Sequence, residues 1–104
     1  MVRLAGRGTV ERLEIDTTHF KGNAPGSGAV FAIDAPGVDV PDPAHPAWSA
    51  LLDRTPLTPD TLHRLDGLAS HAPATHLRLD IHPDGGVARF RAWGRSTEPW
   101  TSPT

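Results

Sequence analysis

The sequence predicts an all-β protein, an antiparallel β-sandwich with one or two short helices, and three observations carry that prediction. Apolar and polar residues alternate across 76–94 and again across 10–18, the period-two pattern of half-buried strands. Ala29 to Ile33 is wholly apolar, as a strand buried on both faces would be. Helix signals are confined to short stretches after Pro46 and Thr58. At 104 residues the chain makes one domain with a modest core.

Taken in order, Val2 to Leu4 is a short apolar start, and the glycines of Ala5-Gly-Arg-Gly8 permit a sharp reversal, which predicts an opening hairpin. Val10 to Thr18 is strand-like, with Leu13, Ile15 and Thr17 on one face and Arg12, Glu14 and Asp16 on the other. His19-Phe-Lys-Gly-Asn23 ends that strand in a loop rich in Gly, Asn and Pro. Residues 34–46 hold too many prolines for a central strand and predict a surface loop. Trp48, Leu51 and Leu52 suggest one or two helical turns. Thr58-Pro59-Asp60 has the form of a helix start, with a hydroxyl cap, proline at the first position and an acid in the first turn, so a short helix to about Leu65 is expected.

Residues 76–94 read as two strands joined by a tight turn. With Asp84-Gly85 at the centre of a primed turn, His82 opposes Val87, and Ile81, Leu79 and Leu77 pair with Ala88, Phe90 and Ala92 on the core face. Asp80 then meets Arg89 and Arg78 meets Arg91 on the other face. Two opposed guanidiniums call for a nearby negative group, either Asp80 on the diagonal or a ligand carboxylate, which arginine binds through two parallel hydrogen bonds. The domain is expected to span 1–94, with 95–104 a disordered tail. Phe20, Phe31, Trp48 and Phe90 are assigned to the core, most of which aliphatics and alanine must fill, since there are three Trp, three Phe and no Tyr.

Composition excludes several function classes. A net charge of −2 gives no basic field for nucleic acid or anionic membrane. The absence of cysteine excludes disulfides, thiolate zinc sites and cysteine nucleophiles. No stretch reads as a signal peptide or reaches membrane-spanning length, so a cytoplasmic protein is expected. His76 and His82 lie roughly 20 Å apart along one strand and cannot share a metal. No ligand-spaced His/Asp motif, phosphate loop, nucleophile elbow or dinucleotide fingerprint is present, and neither metal nor cofactor is called for.

The densest group of reactive side chains is Asp16, His19, Lys21 and Asn23. A carboxylate, an imidazole and an ammonium at one strand end can activate water and stabilise developing charge, although Gly22 and Asn23 are also ordinary turn formers.

Two segments carry a family resemblance. Leu77 to Gly94, with its strand, Pro-Asp-Gly-Gly turn and Ala-Arg-Phe-Arg return, resembles the signature of the allantoicase family. Ile15-Asp-Thr-Thr-His-Phe-Lys-Gly-Asn-Ala-Pro25 resembles that family's Asp-Thr-x-His-Phe-x-Gly-Asn motif. The resemblance implies a galactose-binding-like jelly roll and hydrolysis of allantoate to ureidoglycolate and urea in purine breakdown. It also implies catalytic roles for Asp16, His19 and Lys21, with Asn23, Arg78, Arg89 and Arg91 binding substrate. It begins at Met1-Val-Arg-Leu4, which matches a strand ending preceded in the family by further strands and accompanied in most members by a second repeat. The expectation is therefore a repeat incomplete at its N-terminus, relying on another copy or a complementing repeat. Two other classes remain open: a noncatalytic jelly-roll module binding a small carboxylate or sugar, and an inactive fragment with a structural role.

Overall fold

A computed structural model of the chain describes residues 1–22, 26–66, 68, 73–83 and 85–96. These form six strands: β1 (Val2–Asp16), β2 (Ser27–Ile33), β3 (Ser49–Pro56), β4 (Leu62–Leu65), β5 (Ala74–His82) and β6 (Arg89–Ser96). All pairings are antiparallel, in one sheet of order β3-β2-β5-β1-β4 with β6 also on β1, curled into a half-barrel. The all-β antiparallel fold is thus the one the patterning implied. Among the described residues, no helix is long and apolar enough to cross a membrane.

β1 is the common partner. One edge takes β5 between Val2 and Gly8 and then β4 between Leu13 and Asp16; the other takes β6 from Gly8 to Asp16. The expected reversal at Ala5–Gly8 does not occur, because Gly8 serves a close crossing instead. A Cβ on Gly8 would collide with the Arg95 carbonyl, and one on Gly94 with the Thr9 carbonyl. The two glycines let the β1 and β6 backbones approach where side chains could not fit.

The expected 76–94 hairpin is also replaced. Both strands exist, but β5 pairs with β1 and β2 while β6 pairs only with β1. His82 therefore opposes Ser27, Leu79 opposes Val30, Phe90 opposes Ile15 and Ala92 opposes Leu13. Alternation assigns faces, and most of those assignments survive, although His76, read on the polar face, is buried and Ala88, read on the core face, is exposed; it does not assign edges. The strand with three residues at 1% exposure or less, Ala74, His76 and Leu77, sits in the middle of the sheet rather than at a hairpin edge. Asp84, the proposed turn residue, lies outside the described residues.

The two short helices are strands. Trp48 precedes β3, whose Ala50 and Leu52 pair with Phe31 and Val30 of β2. Residues 62–65 form β4 on the β1 edge, and Asp60 takes a positive φ of 51° that ends the turn begun at Thr58. One or two helical turns leave most of their backbone groups unpaired, whereas an open sheet edge satisfies them.

The core is Val10, Leu13, Val30, Ala32, Leu51, Ala74 and Leu77, with Leu4, Leu52, Leu65, Leu68, Leu79, Phe90 and Ala92 packed around it. It is aliphatic, as composition required. Full burial of side chains such as Leu13, Val30 or Leu77 contributes about 1.5–3 kcal/mol each. The aromatic residues assigned to the core, Phe20, Phe31, Trp48 and Phe90, are instead half-buried at its margins. Arg95 and Ser96 continue β6, so the expected tail does not begin at 95; residues 97–104 lie outside the description.

Candidate functional site

The C-terminal end of β1 is held by polar contacts to loops on both sides. Thr17, fully buried, donates its hydroxyl to the Thr58 carbonyl (2.7 Å) and accepts from the Thr61 amide (3.0 Å). His63 spans the same junction. Its Nε2 accepts from the Thr58 amide (2.8 Å), which leaves Nδ1 protonated to donate to the Ile15 carbonyl (2.9 Å). Asp60 accepts from the His19 amide (2.7 Å) and fixes His19 at φ 73°, a left-handed conformation that costs a non-glycine residue free energy and is commonest at functional sites. From the third side, the Ala88 amide donates to the Asp16 carbonyl (2.7 Å). Gly86 lies against the Phe20 ring, where any Cβ would clash. Segments 17–22, 57–61 and 85–88 therefore converge on one end of the sheet.

On the polar face at this end, β1 presents Glu14 and Asp16, flanked in register by β4 and β6. Asp16 stands between Leu62 and Arg89, and Glu14 between Arg64 and Arg91. Glu14, Asp16, Leu62, Arg89 and Arg91 line a depression of about 90 Å³. Asp16 Oδ1 accepts from the Thr18 amide (2.9 Å) and also from the Thr18 hydroxyl. The Thr18 hydroxyl and amide, with smaller contributions from Arg89 and Arg91, hold the Asp16 carboxyl below its ordinary range despite some desolvation. Asp16 is thus an anion at neutral pH, and Oδ2 has no hydrogen-bond partner among the described residues.

Arg89 and Arg91 differ from the other arginines. Arg3, Arg7, Arg12, Arg64, Arg78 and Arg95 are ion-paired to Asp39, Asp34, Asp66, Glu14, Asp80 and Glu11, and Arg54 donates to Ser27. The guanidiniums of Arg89 and Arg91 form no hydrogen bond or ion pair with another described residue, although both face carboxylates across the sheet. A larger depression of about 460 Å³ lies beside the N-terminal half of β1, but its arginines, Arg3 and Arg7, already hold carboxylates. Size alone therefore does not choose the site.

Of the residues singled out from sequence, Asp16, Arg89 and Arg91 come together. His19 lies three residues beyond Asp16 with its side chain exposed, and Lys21 is exposed on the same loop. Asn23 lies outside the described residues. Arg78 does not face Arg91. It opposes Phe31, binds Asp80 through Nε and Nη2 (3.0 and 3.2 Å) and the Pro43 carbonyl through Nη1, and stacks 4.5 Å from the Phe31 centroid and 5.1 Å from that of Trp48. Asp80 accordingly answers Arg78, not Arg89. Sequence reasoning passed over Glu14, Arg64 and Leu62; Glu14 shares Asp16's strand face by period two, whereas only the β1–β4 pairing reveals the others. No three His, Asp or Glu side chains converge as a metal site among the described residues.

The chain is similar to proteins of known family. It is 42% identical over 106 residues to the probable allantoicase of Rhizobium meliloti, covering 95% of this chain and 31% of the relative. It is 43% identical over 97 residues to the probable allantoicase 2 of Burkholderia pseudomallei, covering 90% of this chain and 29% of that one. The crystal structure of allantoicase from Saccharomyces cerevisiae superposes with a TM-score of 0.72 at 30% identity, over 89% of this chain and 26% of the yeast chain. The chain thus spans about 30% of the length of these relatives. A family model of the allantoicase repeat matches residues 1–97, so both motifs and every strand described above fall within it, and the chain belongs to the allantoicase family.

Proposed function

We propose that this chain carries an allantoate-binding site of an allantoicase, hydrolysing allantoate to ureidoglycolate and urea. The supporting observation is the pair of guanidiniums, Arg89 and Arg91, without ion pairs among the described residues, opposite Asp16 and Glu14 respectively and lining one depression with an ionised Asp16. Planar guanidinium forks recognise a carboxylate in two-point fashion, and allantoate presents one between two ureido groups.

In this reading, hydrolysis at the central carbon replaces one ureido nitrogen by the oxygen of water. One group must take a proton from the water, and another must give one to the departing urea nitrogen. Asp16, ionised and with Oδ2 open, suits the first task. His19 and Lys21, exposed on the loop that follows, are the candidates for the second. Arg78 has no part in it, since its fork is filled by Asp80. The proposal includes a second copy of the chain or a complementing repeat as the source of what longer relatives contain in their remaining length.

The experiment is urea release from allantoate by the purified chain, with Asp16→Ala and His19→Ala beside it. Activity lost in both supports the assignment; turnover unchanged in both refutes it. The 90 Å³ depression suits a carboxylate better than a whole ureido acid, which favours one second reading, a noncatalytic carboxylate-binding module. Allantoate binding without urea release would select it.

A further inference from the structure

We propose that Glu14 is a positioning residue for Arg91, a role that rests on the carboxylate site proposed above. Glu14 is 8% exposed, and its side chain 10%, although it sits on the polar face of the sheet. Its one hydrogen bond among the described residues comes from Arg64 Nε at 3.1 Å, and that arginine side chain is 67% exposed. A carboxylate this withdrawn from water needs more than one screened partner to offset its desolvation. Along β1 its nearest cation, Arg12, is held chiefly by Asp66, with Glu14 adding only a minor share to the rise of the Arg12 pKa.

The cation on its remaining flank is Arg91, directly across β6 and lining the same depression. Glu14 therefore stands between two arginines, one with its fork engaged and one open to the cavity. By attracting the inner side of the Arg91 guanidinium, Glu14 turns the outer edge of the fork toward an incoming carboxylate. A mobile exposed arginine would present that edge only part of the time, and the ordering would otherwise be paid at each binding event.

The proposal makes a prediction opposite in sign to simple charge counting. Removing a negative charge from an anion site should tighten anion binding if Glu14 merely adds to the local potential. As a positioning residue, its replacement in Glu14→Gln weakens allantoate binding by about tenfold or more, the worth of one charge-assisted hydrogen bond. Calorimetry with allantoate on the full chain reads this directly, and tighter or unchanged binding overturns the inference.

A second measurement is independent of whether allantoate is the ligand. In the 15N-labelled chain, the Nε–H signal of Arg91 should exchange faster with water in Glu14→Gln than in the wild type. It should exchange more slowly in Arg64→Met, where Glu14 is left to Arg91 alone. If both variants change only the neighbourhood of Arg64 and β4, the Arg91 role is wrong even if the chain binds allantoate. If the Arg91 signal responds as expected while allantoate does not bind the wild type, the allantoate reading fails and the positioning role stands. Should Glu14→Gln not fold, the Arg64→Met arm decides.

Discussion

Two regions of this sheet carry arginines on exposed strand faces, and they are built in opposite ways. Around Arg78 on β5, every part of the guanidinium is used: Asp80 and a backbone carbonyl take its donors, and Phe31 and Trp48 cover its faces. Around Arg89 and Arg91 on β6, the cations face carboxylates across the sheet without an ion pair among the described residues, at the end where the loops converge. The first arrangement fastens the 43–48 loop to the sheet. The second leaves binding capacity unspent, as the proposed carboxylate site requires and a brace does not.

Replacing the vacant pair should break the comparison most visibly. Arg91→Ala is expected to lower kcat/KM for allantoate by about a hundredfold, equivalent to about 3 kcal/mol, while the melting temperature stays within a degree or two. A large loss of stability instead would mean that Arg91 is a brace as well. The converse variant, Arg78→Ala, should cost about 1–3 kcal/mol in chemical denaturation, through lost cation–π contacts and a stranded Asp80, yet leave the allantoate-induced rise in melting temperature intact. Loss of that rise in Arg78→Ala would erase the distinction.

A subtler probe is pH. Because the Asp16 carboxyl is held below its ordinary range, it remains ionised as pH falls through the usual aspartate pKa of about 3.9, and any stabilisation or base function it supplies is lost only below that. Thr18→Val removes the largest cause and should move the titration upward, as followed by 13C NMR of the carboxyl. An Asp16 that titrates at or above the ordinary value in the wild type would contradict the geometry. The smallest effect is expected at Arg95, whose side chain is 82% exposed beside Glu11: Arg95→Ala should change stability by less than about 0.5 kcal/mol and alter no binding.

Strand faces were legible in the sequence because alternation is a local property. Leu13 and Ile15 are buried and Arg12 is exposed, as the pattern of β1 required. Strand partners were not legible: nothing in 76–94 distinguishes a hairpin from two strands that pair elsewhere, β5 with β2 and β1 and β6 with β1. The Thr58-Pro59-Asp60 signal was real turn chemistry, with the long edge of β1 deciding what followed it. For the site, Asp16 and the Arg89/Arg91 pair were recognisable by residue type and motif. Glu14, Leu62 and the placement of Arg78 away from Arg91 depended on register, which the sequence does not display.

The pairing pattern of β1 also dictates an order of events during synthesis. Within this repeat β1 precedes all of its partners: Gly8 waits for Ser96, Asp16 for Arg89, and Val2 for Leu77. Among the described strands the next one, β2, does not hairpin with it, so the longest strand leaves the ribosome with open edges; one is covered in part when β4 follows and the other only when β6 does. Folding dominated by such distant pairings is slow, and an open apolar strand is a template for intermolecular pairing meanwhile. The charges along its polar face, Arg12, Glu14 and Asp16, would then act first as a guard against aggregation and only afterwards as the floor of the proposed binding site.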